Sequence, residues 1–201
     1  MAQGPSRGFF RPSMDSAISH FEPQAIVVMG VSGCGKSSVG AACAEALGWA
    51  LQEGDAYHAP ESVAKMRAGT PLTDADRAGW LDRLAGLLAC SADGAGQVLT
   101  CSALRRRYRD RLRLAVPRLG FVFLSLDHDE ALARVQARAG HFFSPTLVAN
   151  QFATLESPAG EPGVLVLDAT RPVAELVDAV VAWAAVPSSS SPASRTVRGL
   201  P

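Results

Sequence analysis

Residues Gly30 to Ser37 read GVSGCGKS, the pattern G-x-x-x-x-G-K-[ST], directly after an apolar run, Ala25 to Met29. Strand, glycine-rich turn and helix in that order build a phosphate cradle, because inward-pointing backbone N–H groups and the positive end of the helix meet the same anion. Lys36 is placed to reach the β- and γ-phosphates of a nucleotide, and the Ser37 hydroxyl to ligate Mg²⁺. Gly30, Val31, Ser32, Gly33, Cys34, Gly35, Lys36, Ser37 and Ser38 are therefore expected to hold ATP, with Ser37 on the metal. A glycine turn without a ligand is the alternative, and it leaves the flanking strand and helix unexplained. Cys34, beside Lys36 and a helix N-terminus, is expected to be the most reactive thiol unless the loop wraps it away from solvent.

Other residues of chemical interest fall after later apolar runs. EGDAYH places Asp55 and His58 beside the loop if the sheet is parallel; Asp55 can then take or orient the proton of an attacking hydroxyl. An Asp here can equally cap the helix starting at Pro60 or hold Mg²⁺ through water, and His58 can simply be solvated. Lys65 and Arg77 would suit an anionic acceptor, although charges at a helix start are ordinarily solvated caps. Of the 19 basic residues only Lys36 and Lys65 are lysine, which singles out Lys65. LRRRYRDRLR packs Arg105, Arg106, Arg107, Arg109, Arg111 and Arg113 together; one or two are expected to face phosphate or substrate, with Arg105 and Arg109 chosen, and the rest to face water. The third apolar run ends in Cys101 and Ser102 rather than Asp, so Mg²⁺ is expected to rest mainly on Ser37, phosphate and water. Arg134 and Arg138, one helical turn apart before Gly140, suit a closing lid that neutralises the transferred phosphoryl group; two solvated surface arginines are the plainer reading.

The elements that must position these residues alternate. Short apolar runs at Ala25 to Met29, Trp49 to Glu53, Val98 to Cys101, Phe121 to Leu126 and Val164 to Leu167 predict strands buried on both faces. Helices are predicted over Ser37 to Leu47, Pro60 to Ala68, a stretch opened by the capping box Thr73-x-x-Asp76, Leu104 to Val116, Asp129 to Ala139, Pro145 to Thr154, and from Pro172 onward. Strands separated by helices imply a mostly parallel sheet covered on both sides, with ligands at the carboxyl ends of the strands.

The chain of 201 residues, 48% hydrophobic, is sized for one core, and its formal net charge of zero offers no basis for nucleic-acid or membrane binding. Four cysteines without C-x-x-C spacing read as reduced cytosolic thiols rather than a disulfide frame or zinc site. Residues 1–23 are expected to be a flexible extension, 24–186 one kinase-like domain with a lid at about 134–150, and 187–201 a disordered tail.

Taken together, GVSGCGKSSVG, EGDAYHAPESVAKMRAGTPLTDADRAGWL, TCSALRRRYRDRLR, FVFLSLD, RVQARAGHFF and QFATLESP resemble the gluconate kinase family in order and spacing. The resemblance implies an α/β/α P-loop kinase core with a five-stranded parallel sheet of the nucleoside-monophosphate-kinase type, a helical lid, a cytoplasmic homodimer, and MgATP-dependent phosphorylation of D-gluconate. Glu53 stands where that family usually has Asp, Ser62 where Asn is common, and Arg105 where Lys is usual. Gluconate is a polyol with a carboxylate, and Asp55, His58, Lys65, Arg77, Arg109 and Gln151 offer hydroxyl partners and cations; Lys36, Asp55, Arg105 and Arg138 are expected in catalysis, and Arg134 against the nucleotide. Another P-loop kinase, for shikimate or a nucleoside monophosphate, and a non-catalytic nucleotide switch are the rival readings. The absence of N-K-x-D argues against a guanine-nucleotide switch.

Overall fold

All five residues of the run Ala25–Met29 are buried, as a strand covered on both faces requires. The computed structural model describes residues 22–90, 96–137 and 145–185. In chain order its elements are β1 (Ala25–Met29), α1 (Lys36–Leu47), β2 (Ala50–Glu53), a 3-10 turn (Gly54–Tyr57), α2 (Pro60–Arg67), α3 (Asp74–Cys90), β3 (Gln97–Thr100), α4 (Arg106–Arg113), β4 (Leu119–Ser125), α5 (His128–Ala137), α6 (Pro145–Thr154), β5 (Val164–Asp168) and α7 (Val173–Ala184). The strands form one parallel sheet in the order β2-β3-β1-β4-β5.

Alternation along the strands divides the core into two layers. Ile26, Val28, Val122 and Leu124 face α1, α5, α6 and α7 through Val39, Cys43, Ala131, Val135, Val148, Leu176 and Val180. Val27, Met29, Leu99, Phe121 and Phe123 face α3 and α4 through Trp80, Leu81, Leu84, Leu88, Tyr108 and Leu112. The result is the expected α/β/α sandwich. The order reverses at β1, whose neighbours β3 and β4 lie on opposite sides, and a crevice at such a switch point is where parallel sheets bind ligands.

Local signals place most helix ends. Gly48 closes α1 at φ 67, and Thr73 and Asp76 make the reciprocal capping box, Thr73 N donating to Asp76 Oδ2 at 2.9 Å and Asp76 N to Thr73 Oγ1 at 3.2 Å. One helix is shorter than expected. The predicted Leu104 to Val116 becomes Arg106–Arg113, because Ala103 takes a left-handed φ of 42 and Arg105 is extended. The fourth strand starts earlier than expected, since Leu119 and Gly120 pair with Ala25 and Ile26. Arg138, the rest of 138–144, and both predicted tails beyond residues 22 and 185 lie outside the described residues.

Candidate active site

The loop after β1 is shaped by backbone that only glycine adopts freely. Gly30 has φ 144, and a Cβ there would sit 2.7 Å from Cys34 Sγ and 2.8 Å from the Leu124 carbonyl oxygen. Gly35, at φ 91, turns the chain into α1 with no side-chain cap and no acidic residue in the first turn. The opening N–H groups of α1 are thus left for an anion. Lys36 Nζ donates to the Val31 carbonyl at 3.0 Å, folded back across the mouth of the loop. Cys34 departs from expectation: its side chain is buried in the α1–α5 layer, so the thiol is wrapped away and Cys90 is the exposed free cysteine.

Glu53, at the end of β2, is the carboxylate beside this loop. It accepts from Ser37 Oγ at 3.1 Å and from Thr100 Oγ1 at 2.5 Å, Thr100 being its register partner on β3. In the sequence Glu53 stands out only as a departure from a family pattern; its spacing of two from Asp55, at the end of a strand near the P-loop, is the signal that marks it. A hydroxyl and one carboxylate are hard oxygen donors of the kind that hold Mg²⁺ together with phosphate and water, so the residues fit this ion. Among the described residues no group of three or more His, Cys, Asp or Glu converges on one point.

The turn after β2 carries the acceptor candidates. Gly54 is tied down by Trp80 Nε1, which donates to its carbonyl at 2.8 Å, and by its own N–H to Thr100 Oγ1 at 3.4 Å. Next to that anchor Asp55 is 81% exposed, and its one ion-pair partner among the described residues is His58, at 3.9 Å. His58 stacks on Trp80 with ring centroids 4.3 Å apart, and its buried Nδ1 has no hydrogen-bond partner among the described residues. Burial lowers the His58 pKa below 6.5; Asp55 opposes that and Arg77 reinforces it, which leaves a neutral ring able to bind a hydroxyl. An unpaired buried nitrogen costs stability, about 1–3 kcal/mol. His58→Phe is accordingly expected to melt no lower than the parent while raising the KM for the acceptor at least about tenfold. A lower melting temperature with an unchanged KM would assign the ring a packing role only.

The Cys101 thiol, pushed up to about 12 mainly by burial, also feels Asp55, Lys36 and Arg77. Arg77 lies 6.0 Å over the Tyr108 ring and makes no ion pair among the described residues. Lys65 is placed differently from expectation: it bonds Asp76 at 2.6 Å, inside the capping box, and with the Thr73 contacts this holds the Asp76 carboxyl at about 2. Arg77 is therefore the better-placed cation for an anionic acceptor.

Most of the arginine run does face water, as expected, but each of these arginines also pairs with a carboxylate, and Arg109 alone is buried. Asp74 takes Arg105 at 3.5 Å together with Arg107 and the Tyr108 hydroxyl, Asp82 takes Arg111, and Asp110 takes Arg106 and Arg113. The reason is position: α4 is packed between the acidic start of α3 and the chain that follows α6. Arg109 corrects a substrate assignment. It is fully buried, pairs with Glu161, and donates through Nη1 to the carbonyls of Ala103 and Leu104 at 2.9 and 3.1 Å. Its guanidinium thereby holds the turn in which Ala103 is strained, while Glu156 caps α4 by accepting from Arg106 N at 2.7 Å.

Burial works against the Glu161 carboxylate, yet hydrogen bonds from Arg109 and Arg113 hold its pKa below 4.5. Its contribution to stability is full above pH 4.5 and is lost as pH falls through the lower folded value. Arg109→Met leaves Glu161 with Arg113 alone and the Ala103 and Leu104 carbonyls without their donor, and is expected to cost about 3–5 kcal/mol in urea unfolding. A loss under about 1 kcal/mol would show that the pair does not hold the turn.

Two expected site residues sit on the other side of the loop. Arg134 bonds Glu130 at 2.7 Å and the Ala169 carbonyl at 3.0 Å, linking α5 to the chain after β5. Gln151, expected at the acceptor, instead uses Oε1 to accept from Ser32 N of the phosphate loop at 2.6 Å.

A nucleotide loop at the switch point of a parallel sheet, with an exposed carboxylate and a guanidinium that has no ion pair among the described residues, defines a P-loop kinase. The comparisons agree. The AAA domain family matches residues 26–162. The gluconokinase of Gluconobacter oxydans is 47% identical over 72% of this chain and 82% of its own length, and the thermoresistant gluconokinase of Escherichia coli is 40% identical over 77% and 90%. A crystal structure of a gluconokinase from Sinorhizobium meliloti superposes with a TM-score of 0.74 at 46% identity, covering 83% of this chain and 93% of that one. The chain belongs to the gluconokinase family.

Proposed function

We propose that the protein transfers the γ-phosphoryl group of MgATP to D-gluconate, giving 6-phospho-D-gluconate and ADP. The observation that carries this reading is the hydrogen bond from Ser37 of the phosphate loop to Glu53, which sets the turn bearing the exposed Asp55 beside that loop, in a chain 47% identical to a gluconokinase. Gly30 to Ser38 hold the nucleotide phosphates, and Ser37 with Glu53 holds Mg²⁺, which when bound neutralises charge on the β- and γ-phosphates. Asp55 takes or orients the proton of the acceptor hydroxyl as its oxygen attacks the γ-phosphorus and the bond to the β-phosphate oxygen breaks. His58 binds a further hydroxyl, and Arg77 pairs with the sugar-acid carboxylate. Arg105, Arg134 and Arg138 are cations for the nucleotide and the transferred group.

The enzyme is proposed to act in the cytoplasm as a homodimer; among the described residues no helix is long and apolar enough to cross a membrane. Phosphorus NMR of a reaction with ATP and gluconate tests the reading. A new phosphomonoester resonance, coupled to the terminal methylene protons of the sugar acid, is the expected product. A phosphate ester at another carbon, or inorganic phosphate alone, would contradict it.

A further inference from the structure

Gln151 Oε1 accepts from the N–H of Ser32, and Lys36 Nζ donates to the carbonyl of Val31. That carbonyl and that N–H are the two ends of one peptide unit. Lysine grips it from one side and glutamine from the other. The lysine of such a loop serves the β/γ end of the nucleotide, so the residue gripping the same peptide stands at the same end.

Gln151 is also held in place. It projects from α6, whose Leu147 and Val148 are 5% and 0% exposed, and Val148 lies in one core cluster with Val31. The loop and α6 thus share a packed base, and the Gln151 amide bridges them above it. With its oxygen committed to Ser32, the amide nitrogen is left with two N–H donors, and neither has an acceptor among the described residues. Two donors fixed beside a loop built for phosphate, with no acceptor of their own, match an anionic oxygen.

We propose that Gln151 reads the γ-phosphoryl group: its oxygen stays on Ser32 and its nitrogen donates to a γ-phosphate oxygen, so that it favours ATP over ADP and steadies the group being transferred. This rests on the assignment of the loop to MgATP and not on the identity of the acceptor. Gln151→Glu is the sharpest variant, since it keeps an oxygen for Ser32 N–H but replaces the donors with negative charge. Gln151→Met keeps length and removes both functions.

Calorimetry with MgADP and with a Mg²⁺-bound non-hydrolysable ATP analogue, and no sugar acid present, tests the proposal. For Gln151→Glu the analogue Kd is expected to rise at least about tenfold while the ADP Kd changes less than about twofold. For Gln151→Met the analogue is expected to weaken about three- to tenfold, again with ADP nearly unchanged, and this variant decides if the first does not melt cooperatively. Equal shifts for both nucleotides, or no shift for either, would overturn the proposal and leave Gln151 as a plug for Ser32 N–H. Because no acceptor is present, a chain that showed the split but failed to phosphorylate gluconate would sink the proposed function and leave this inference standing.

Discussion

Lys36→Ala is expected to lower kcat by about a hundred- to a thousandfold without unfolding the protein. Among the described residues the ammonium makes one hydrogen bond, part-buried, to the Val31 carbonyl. Its loss costs the fold about 0.5–1.5 kcal/mol at most. In the reaction the same ammonium faces charge that grows on the β/γ bridge, where no other cation of the loop stands, so deletion falls mainly on the transition state. Arginine cannot replace it cleanly, because a planar fork does not fit a site shaped for a point charge. The check is steady-state kinetics beside thermal melting. A folded Lys36→Ala protein that retained most of its turnover would remove the loop from the mechanism.

Asp55→Asn is expected to cut turnover by about a hundredfold or more while leaving nucleotide affinity and melting temperature close to the parent. The side chain is 81% exposed and has no hydrogen bond among the described residues, so amide for carboxylate disturbs no packing. What disappears is the proposed acceptor for the hydroxyl proton. Glu53, two residues earlier, is the contrasting control: it is tied to Ser37 and Thr100, and Glu53→Gln is placed to weaken Mg²⁺ dependence rather than proton transfer. Titration calorimetry with MgATP separates the two. Loss of ATP affinity in Asp55→Asn as large as its loss of turnover would move Asp55 into the metal site.

Features encoded in a few neighbouring residues were legible in the sequence. The phosphate loop, the five strands, the αL stop at Gly48 and the Thr73–Asp76 box each depend on local backbone and side-chain chemistry, and each appears within a few residues of where expected, although the edge strands β2 and β5 are only partly buried. Partners across the fold were not legible. Arg111 meets a carboxylate 29 residues away, Arg109 one 52 away, and Gln151 an amide 119 away, so the spacing of arginines on a helix says nothing about which of them is already neutralised. The same holds for Lys65, whose rarity in the chain gives no guide to the Asp76 carboxylate 11 residues on. Ala103 carries a positive φ with no glycine to announce it, because the strain is held by Arg109 from outside the turn. Cys34 was read from its chain neighbours, Lys36 and a helix start, whereas its side chain answers to Gly30 and the core layer behind the loop.

The central claim is acceptor choice, and the most direct measurement is ADP release with MgATP and a panel of D-gluconate, other sugar acids, shikimate and nucleoside monophosphates. The account predicts the highest kcat/KM for gluconate, well above the ATP-only blank. It also predicts that Arg77→Met raises the KM for gluconate far more than the KM for ATP, because this guanidinium, without an ion pair among the described residues, is proposed to meet the acceptor carboxylate. Gluconate turnover no greater than the blank, with shikimate or a nucleoside monophosphate consumed instead, would contradict it.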